Sequence, residues 1–239
     1  MLRVIDSHAH LESVADLGVA LKEAVEAGLA AVVAVGSDYR SNQEVLELAQ
    51  RWKPWVHPAL GLHPSELGSA EVDQVLHFIE DHISQAVGIG EIGLDYDRRV
   101  KAAAGTDRQQ AVFRELLGLA RKHRKPALIH SRYAWKDAFD LTREAGVERA
   151  VFHWYTGLSS VLREIIAQGY LISATPAAEY HAEHRRAIKE APLDRLLLET
   201  DGPVAYGRDN RYPSRPADVV RSLRAVAQLK GVAEDVVAE

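Results

Sequence analysis

One (β/α)8 barrel, the TIM-barrel architecture of the α/β class, spanning residues 1–239 as a single domain, is the fold this sequence predicts. Three observations carry it. The chain has 239 residues, close to the ~250 of one such barrel. Short apolar runs recur along it, eight in all, separated by amphipathic segments. No low-complexity linker or internal repeat divides the chain. Continuous apolar runs suit strands covered on both faces, as in a parallel sheet, and regular alternation with helices is the α/β pattern. An open doubly wound sheet shares this periodicity and stands as the structural alternative.

The expected strands are Val4–His8, Ala30–Val35, Trp55–Leu60, Ala86–Gly90, Ala127–His130, Ala150–Phe152, Tyr170–Ser173 and Leu196–Glu199. Between the fourth and fifth lies "RQQAVFRELLGLARKH", where Val112, Phe113, Leu116, Leu117 and Ala120 recur at helical spacing. Asp107 is its expected N-cap. Between the sixth and seventh, "SSVLREIIAQG" places Leu162, Ile165 and Ile166 on one face. Ser159 is the expected N-cap of that helix and Gly169 its C-terminal stop.

Composition narrows the chemistry. The absence of cysteine excludes disulfides, thiolate nucleophiles and cysteine–zinc sites, so a metal centre here must use His, Asp and Glu. The net charge of −5 argues against broad nonspecific nucleic-acid binding and leaves room for a local basic patch. No apolar run approaches the roughly 20 residues that cross a bilayer, and "MLRVIDSHAH" lacks the apolar core of a signal peptide. A cytoplasmic protein with no membrane association and no obligate protein partner is expected.

The polar residues fall at strand ends. His8 and His10 are expected at and just past the end of the first strand, His63 past the third, Glu91 past the fourth, His130 at the end of the fifth, His153 past the sixth and Asp201 past the eighth. In a barrel these positions converge on the C-terminal rim, where active sites of this fold lie. Buried ionisable groups need partners, and divalent cations accept both neutral imidazole and carboxylate. His8, His10, Glu91, His130, His153 and Asp201 exceed the four ligands of one tetrahedral ion. Two ions, roughly 3.5–4 Å apart and bridged by a carboxylate, use them all; Glu91 is the candidate bridge. Asp6 and Glu199 lie two residues before ligands and are candidates to orient their imidazoles. Arg132 is the candidate phosphate contact, with Arg98, Arg99, Lys101, Arg208, Arg211 and Arg215 as further rim cations. Trp154 and Tyr155 are candidates to stack on a base. His57, His77, His82, His123, His181 and His184 are read as structural or surface residues.

"DSHAHL" at 6–11, "GLHPSE" at 61–66, "GEIGLDYD" at 90–97, "RQQAVFRELLGLA" at 108–120, "PALIHSRYAWKD" at 126–137, "FHWYTG" at 152–157 and "LLLETDGP" at 196–203 together resemble the TatD-like deoxyribonucleases of the amidohydrolase-like superfamily. The resemblance runs from Asp6 to about Pro216. It implies a metal-dependent phosphodiester hydrolase acting on DNA, single-stranded or at ends. It implies His8 and His10 on one metal, Glu91 shared, His130 and His153 on the second, Asp201 as the last ligand and proton acceptor, and His63 near the substrate phosphate. Imidazole-rich ligation favours Zn, Mn or Fe, whereas the resemblance implies activity with Mg. Ala9, "HWYTG" and "GPVAYGRDNRYPSRPADV" depart from the family's usual Cys, "HCFSG" and Ser-Pro segments, so the substrate-facing loops differ. The alternative activity is that of an amidohydrolase on a small amide, ester or lactone, with the same metal pair.

Overall fold

The structure is a computed structural model and describes residues 2–69 and 71–239. Eight strands pair in sequential order: β1 (Val4–Ala9), β2 (Leu29–Val35), β3 (Val56–Leu62), β4 (Gly88–Asp95), β5 (Ala127–Arg132), β6 (Ala150–Phe152), β7 (Leu171–Ala174) and β8 (Leu196–Leu198). Every ladder between them is parallel. The outer layer holds α1 (Leu17–Ala27), α2 (Tyr39–Arg51), α3 (Val72–His82), α4 (Arg98–Ala103), α5 (Thr106–Lys122), α6 (Trp135–Glu144), α7 (Ser159–Ala167), α8 (Ala182–Glu190), α9 (Val219–Lys230) and α10 (Glu234–Ala238).

The seam between β8 and β1 carries no ladder. It closes through the Asp201 amide donating to the His8 carbonyl at 2.9 Å and the His10 amide donating to the Gly202 carbonyl at 2.8 Å. Asp6 adds a staple: its carboxylate accepts from the Thr200 amide at 3.0 Å and the Thr200 hydroxyl at 2.6 Å. Sequential order and closure exclude the open doubly wound sheet.

The helical faces follow the sequence. Val112, Phe113, Leu116, Leu117 and Ala120 of α5 are buried, as are Leu162 and Ile165 of α7, against strand residues such as Ile89, Ile129 and Phe152. Gly169 follows α7 with φ +85°, the left-handed conformation expected of a helix stop. Both expected N-caps are off by one or two positions. Gly105 caps α5, leaving Asp107 in the first turn, where its charge still faces the positive helix end. Leu158 holds the cap position of α7, because the Ser159 hydroxyl is spent between Arg186, which donates to it at 3.0 Å, and Glu190, which accepts from it at 2.8 Å.

β4 departs most from expectation. It does not end at Gly90 but runs to Asp95, with all eight residues buried. Against β3 the pairing steps from Leu60–Ile89 to Leu62–Ile92, and against β5 from Ala127–Ile89 to Ile129–Ile92. β4 thus holds one extra residue at Gly90–Glu91, a bulge that re-aims a side chain without ending the strand. Two features make room for it. A Cβ on Gly61 would sit 2.4 Å from the Glu91 backbone nitrogen, so only glycine fits opposite. The Gly61 backbone, deprived of its ladder partner, is paired by buried Asn42 of α2, which accepts from the Gly61 amide at 2.9 Å and donates to its carbonyl at 2.8 Å. At the far end of β4, buried Gln109 of α5 does the same for Asp95, at 2.9 and 3.0 Å.

Candidate active site

All seven expected residues meet at the C-terminal mouth of the barrel. His8, Glu91 and His130 lie within β1, β4 and β5 rather than past or at their ends. His10, His63 and His153 follow β1, β3 and β6 at once, and Asp201 lies three residues past β8. β1, β4 and β5 run further than expected because residues inside a fully covered barrel need not be apolar when their polar atoms find one another.

Glu91 is the hub. Its Oε2 lies 3.2 Å from His10 Nε2 and 3.5 Å from His8 Nε2. Its Oε1 lies 2.8 Å from His130 Nδ1, 2.7 Å from His153 Nε2 and 3.6 Å from His63 Nε2. Asp201 Oδ1 joins the first set, 3.5 Å from His8 Nε2 and 3.6 Å from His10 Nε2. Among the described residues, three groups have ligand atoms close enough to share an ion: His8–His153–Asp201, His8–His10–Glu91 and His63–Glu91–His130. His8 and His153 stack at 4.1 Å between ring centroids.

The electrostatics follow from this packing. Burial opposes the Glu91 charge, but the surrounding imidazoles outweigh it and hold its carboxyl well below the usual range. Burial raises Asp201 above the ordinary carboxylate value, against the pull of His8, His153 and His10. His8 is fully buried, yet neither ring nitrogen has a hydrogen-bond partner among the described residues. An unpartnered buried polar atom costs about 1–3 kcal/mol, and an imidazole left without a partner beside two carboxylates belongs to a donor set that a divalent cation takes.

Supporting partners divide into expected and unexpected ones. Glu199 faces His153 Nδ1 at 3.5 Å and accepts from the Trp154 amide at 3.0 Å, in line with an orienting role. Asp6 does not orient an imidazole. Its carboxylate serves the seam and the His8 amide, at 3.2 Å. Sequence reasoning missed Asp95, whose Oδ2 lies 3.2 Å from His130 Nε2 and whose Oδ1 accepts from the Asp97 amide at 2.8 Å. It stands in "GEIGLDYD", four residues beyond Glu91, but nothing in that stretch announces its reach to His130.

Above the hub opens a cavity of about 610 Å³. Of the rim cations only Arg132 lines it, 3.2 Å from Asp97. Arg208 and Arg211 instead donate to the Tyr180 and Ala205 carbonyls, and Arg215 pairs with Glu23 at 3.5 Å. Trp154 lines the cavity, but Tyr155 is fully buried, its hydroxyl donating to the Leu158 carbonyl at 2.9 Å; the next residue of a loop need not share its neighbour's side. His181, expected as a structural or surface residue, and Glu183 both line the cavity at the start of α8. His184 is structural, as expected: it is fully buried between the Thr175 amide and the Tyr155 carbonyl.

Comparison with known proteins agrees with this geometry. The family model described as TatD related DNase matches residues 5–239. The human protein named Deoxyribonuclease TATDN3 is 30% identical over 99% of this chain and 90% of its own length. An Escherichia coli K12 protein named as an uncharacterized metal-dependent hydrolase, YjjV, is 29% identical over 99% of this chain and 94% of its own. The crystal structure of that YjjV, described as a TatD homologue, superposes with a TM-score of 0.89 over 99% of this chain and 94% of its own at 28% identity. With a closed barrel, a carboxylate hub ringed by imidazoles at its mouth and a family match across nearly the whole chain, this protein belongs to the TatD-related DNase family of metal-dependent hydrolases.

Proposed function

We propose that this protein is a deoxyribonuclease that removes nucleotides from an end of single-stranded DNA, using two divalent cations. The observation that carries the reading is the division of Glu91: one oxygen faces His8 and His10, the other His130 and His153. That division suits a carboxylate shared by two cations, with His8, His10 and Asp201 on one side and His130 and His153 on the other. Imidazole-rich ligation favours Zn or Mn over Mg. When bound, such cations acidify a water and polarise phosphoryl oxygens.

The chain's own groups complete the chemistry. Asp201, raised by burial, accepts the proton of the attacking water as general base. His63 contributes a hydrogen-bond donor. Its Nδ1 accepts from the Ser65 amide at 3.1 Å, so the neutral ring carries its proton on Nε2, aimed at the hub and suited to a phosphate oxygen. Burial, with the neighbouring imidazoles, lowers its pKa to about 3, which keeps that tautomer neutral. Arg132 at the mouth offers a guanidinium to the adjoining phosphate. Glu199 and Asp95 hold the His153 and His130 rings.

The test is a substrate panel. Protein loaded with Mn or Zn is incubated with single-stranded DNA, linear duplex, closed circular duplex, RNA, and small esters, amides and lactones. Shortening of single strands from an end, with closed circles cut far more slowly, is expected. Hydrolysis of amides or lactones with inert phosphodiesters would transfer the assignment to a small-molecule amidohydrolase.

A further inference from the structure

One wall of the cavity carries aromatic surface that none of the steps above uses. Tyr133 and Trp135 both line it, and Tyr133 is 59% exposed. A large ring left in water forgoes its burial energy, and this one is held out by a defined turn. Tyr133 has φ +54°, a left-handed conformation that non-glycine residues rarely adopt. The turn is pinned on both sides: the Ala134 amide donates to the Ser131 carbonyl at 3.4 Å, and the Tyr96 amide at the end of β4 donates to the Arg132 carbonyl at 2.9 Å.

Trp135 stands beside it, 6.0 Å away centroid to centroid at 70°. It is braced from behind, since a Cβ on Gly157 would lie 2.4 Å from its Cγ; only glycine lets the indole seat there. The Arg132 guanidinium sits 5.6 Å from the Tyr133 ring centroid. An exposed aromatic face next to a guanidinium, on a rigid turn, is the pairing that holds one nucleotide of a single strand: the ring takes the base and the cation takes the phosphate. Glu183 also lines the cavity, and its negative charge disfavours a phosphate beside it, which leaves Arg132 for the backbone.

We propose that Tyr133, backed by Trp135, forms a nucleobase subsite that stacks the unpaired base of the nucleotide whose phosphate Arg132 holds. This rests on the deoxyribonuclease reading and gives its strand preference a physical cause. A base inside a duplex has both faces covered and cannot lie on Tyr133. Every base has a π face, so the subsite is tolerant of sequence.

The experiment compares Mn-loaded wild type, Tyr133→Phe and Tyr133→Ala on a short single strand and on the same strand with its last two nucleotides at each end abasic. A second readout is the quenching of 2-aminopurine at those positions in a phosphorothioate strand that resists cleavage. Tyr133→Ala is expected to raise KM for the normal strand by about 5- to 150-fold, the range of one base–aromatic stack, with kcat within about twofold. It should leave the abasic strand unchanged and abolish the quenching. Tyr133→Phe, which keeps the ring, should match wild type in all three. If Tyr133→Ala matches wild type in KM and quenching, or harms the abasic strand equally, the subsite is refuted while the nuclease stands. If wild type neither binds nor cuts any strand, the deoxyribonuclease reading falls and takes the subsite with it.

Discussion

Glu91 and Asp201 share the His8 and His10 imidazoles, but their environments push them apart. Imidazoles on both sides keep Glu91 ionised, whereas burial lifts Asp201, and such a split is how one site separates a ligand from a base. Asp201→Asn preserves size and removes basicity. Turnover at saturating substrate should fall by about two to four orders of magnitude, with ion content measured alongside; near-normal turnover with both ions present would make Asp201 a turn residue. His130 reaches only the Oε1 side of Glu91. Elemental analysis of His130→Ala is therefore expected to show about one ion per chain where wild type holds about two, and an unchanged ratio removes the two-ion assignment. The candidate ligands were legible because imidazoles and acids stand out against apolar strand ends. Asp95 was not, because what singles it out is its reach to His130, 35 positions away. Tyr155 misled because loop residues carry no fixed alternation.

At the scale of elements, the bulge in β4 could not be read from apolar runs, since an acid after "VGIG" looks like a strand's end. Its support was equally hidden: an asparagine in an amphipathic helix gives no sign that it will stand in for a strand. Asn42→Ala strips the Gly61 amide and carbonyl of their buried partners, at about 1–3 kcal/mol each. Urea denaturation should show a loss of about 2–5 kcal/mol, and ion content should drop as Glu91 loses its backing; an unaltered midpoint would mean that the bulge supports itself. His184 ties α8 to the loops after β6 and β7. Burial lowers its pKa to about 4, the Tyr155 carbonyl opposing, against ~6.5 when unfolded. Between pH 6.5 and 4 the unfolded chain binds a proton that the folded chain refuses, so stability falls as pH drops through that window, by up to about 1.4 kcal/mol per unit; above pH 6.5 the group has no effect. Glutamine keeps one acceptor and one donor without titrating. Denaturation of His184→Gln at pH 7.5 and pH 5 should therefore show a shallower loss than wild type, and parallel losses would acquit His184.

For the whole molecule, eight apolar runs with helices between them sufficed to anticipate a barrel, because a sheet covered on both faces needs continuous hydrophobicity. What joins the last strand to the first was not legible, since a carboxylate 194 residues from its partner threonine leaves no periodic trace. A cation that binds only the folded barrel stabilises it by about 4 kcal/mol when present at a thousand times its dissociation constant. At roughly 2–4 °C per kcal/mol for a chain of this size, Mn- or Zn-saturated protein should melt about 8–16 °C above chelator-treated protein. Coincident melting curves would remove the cation reading of the centre. The seam bears also on when the centre first exists. Translation delivers His8 and His10 near the beginning and Asp201 near the end, and Asp201 meets its partners only when its amide docks on the His8 carbonyl. A nascent chain still short of that residue lacks the carboxylate proposed as the base, so on that reading catalysis should begin only after the eighth strand has docked on the first.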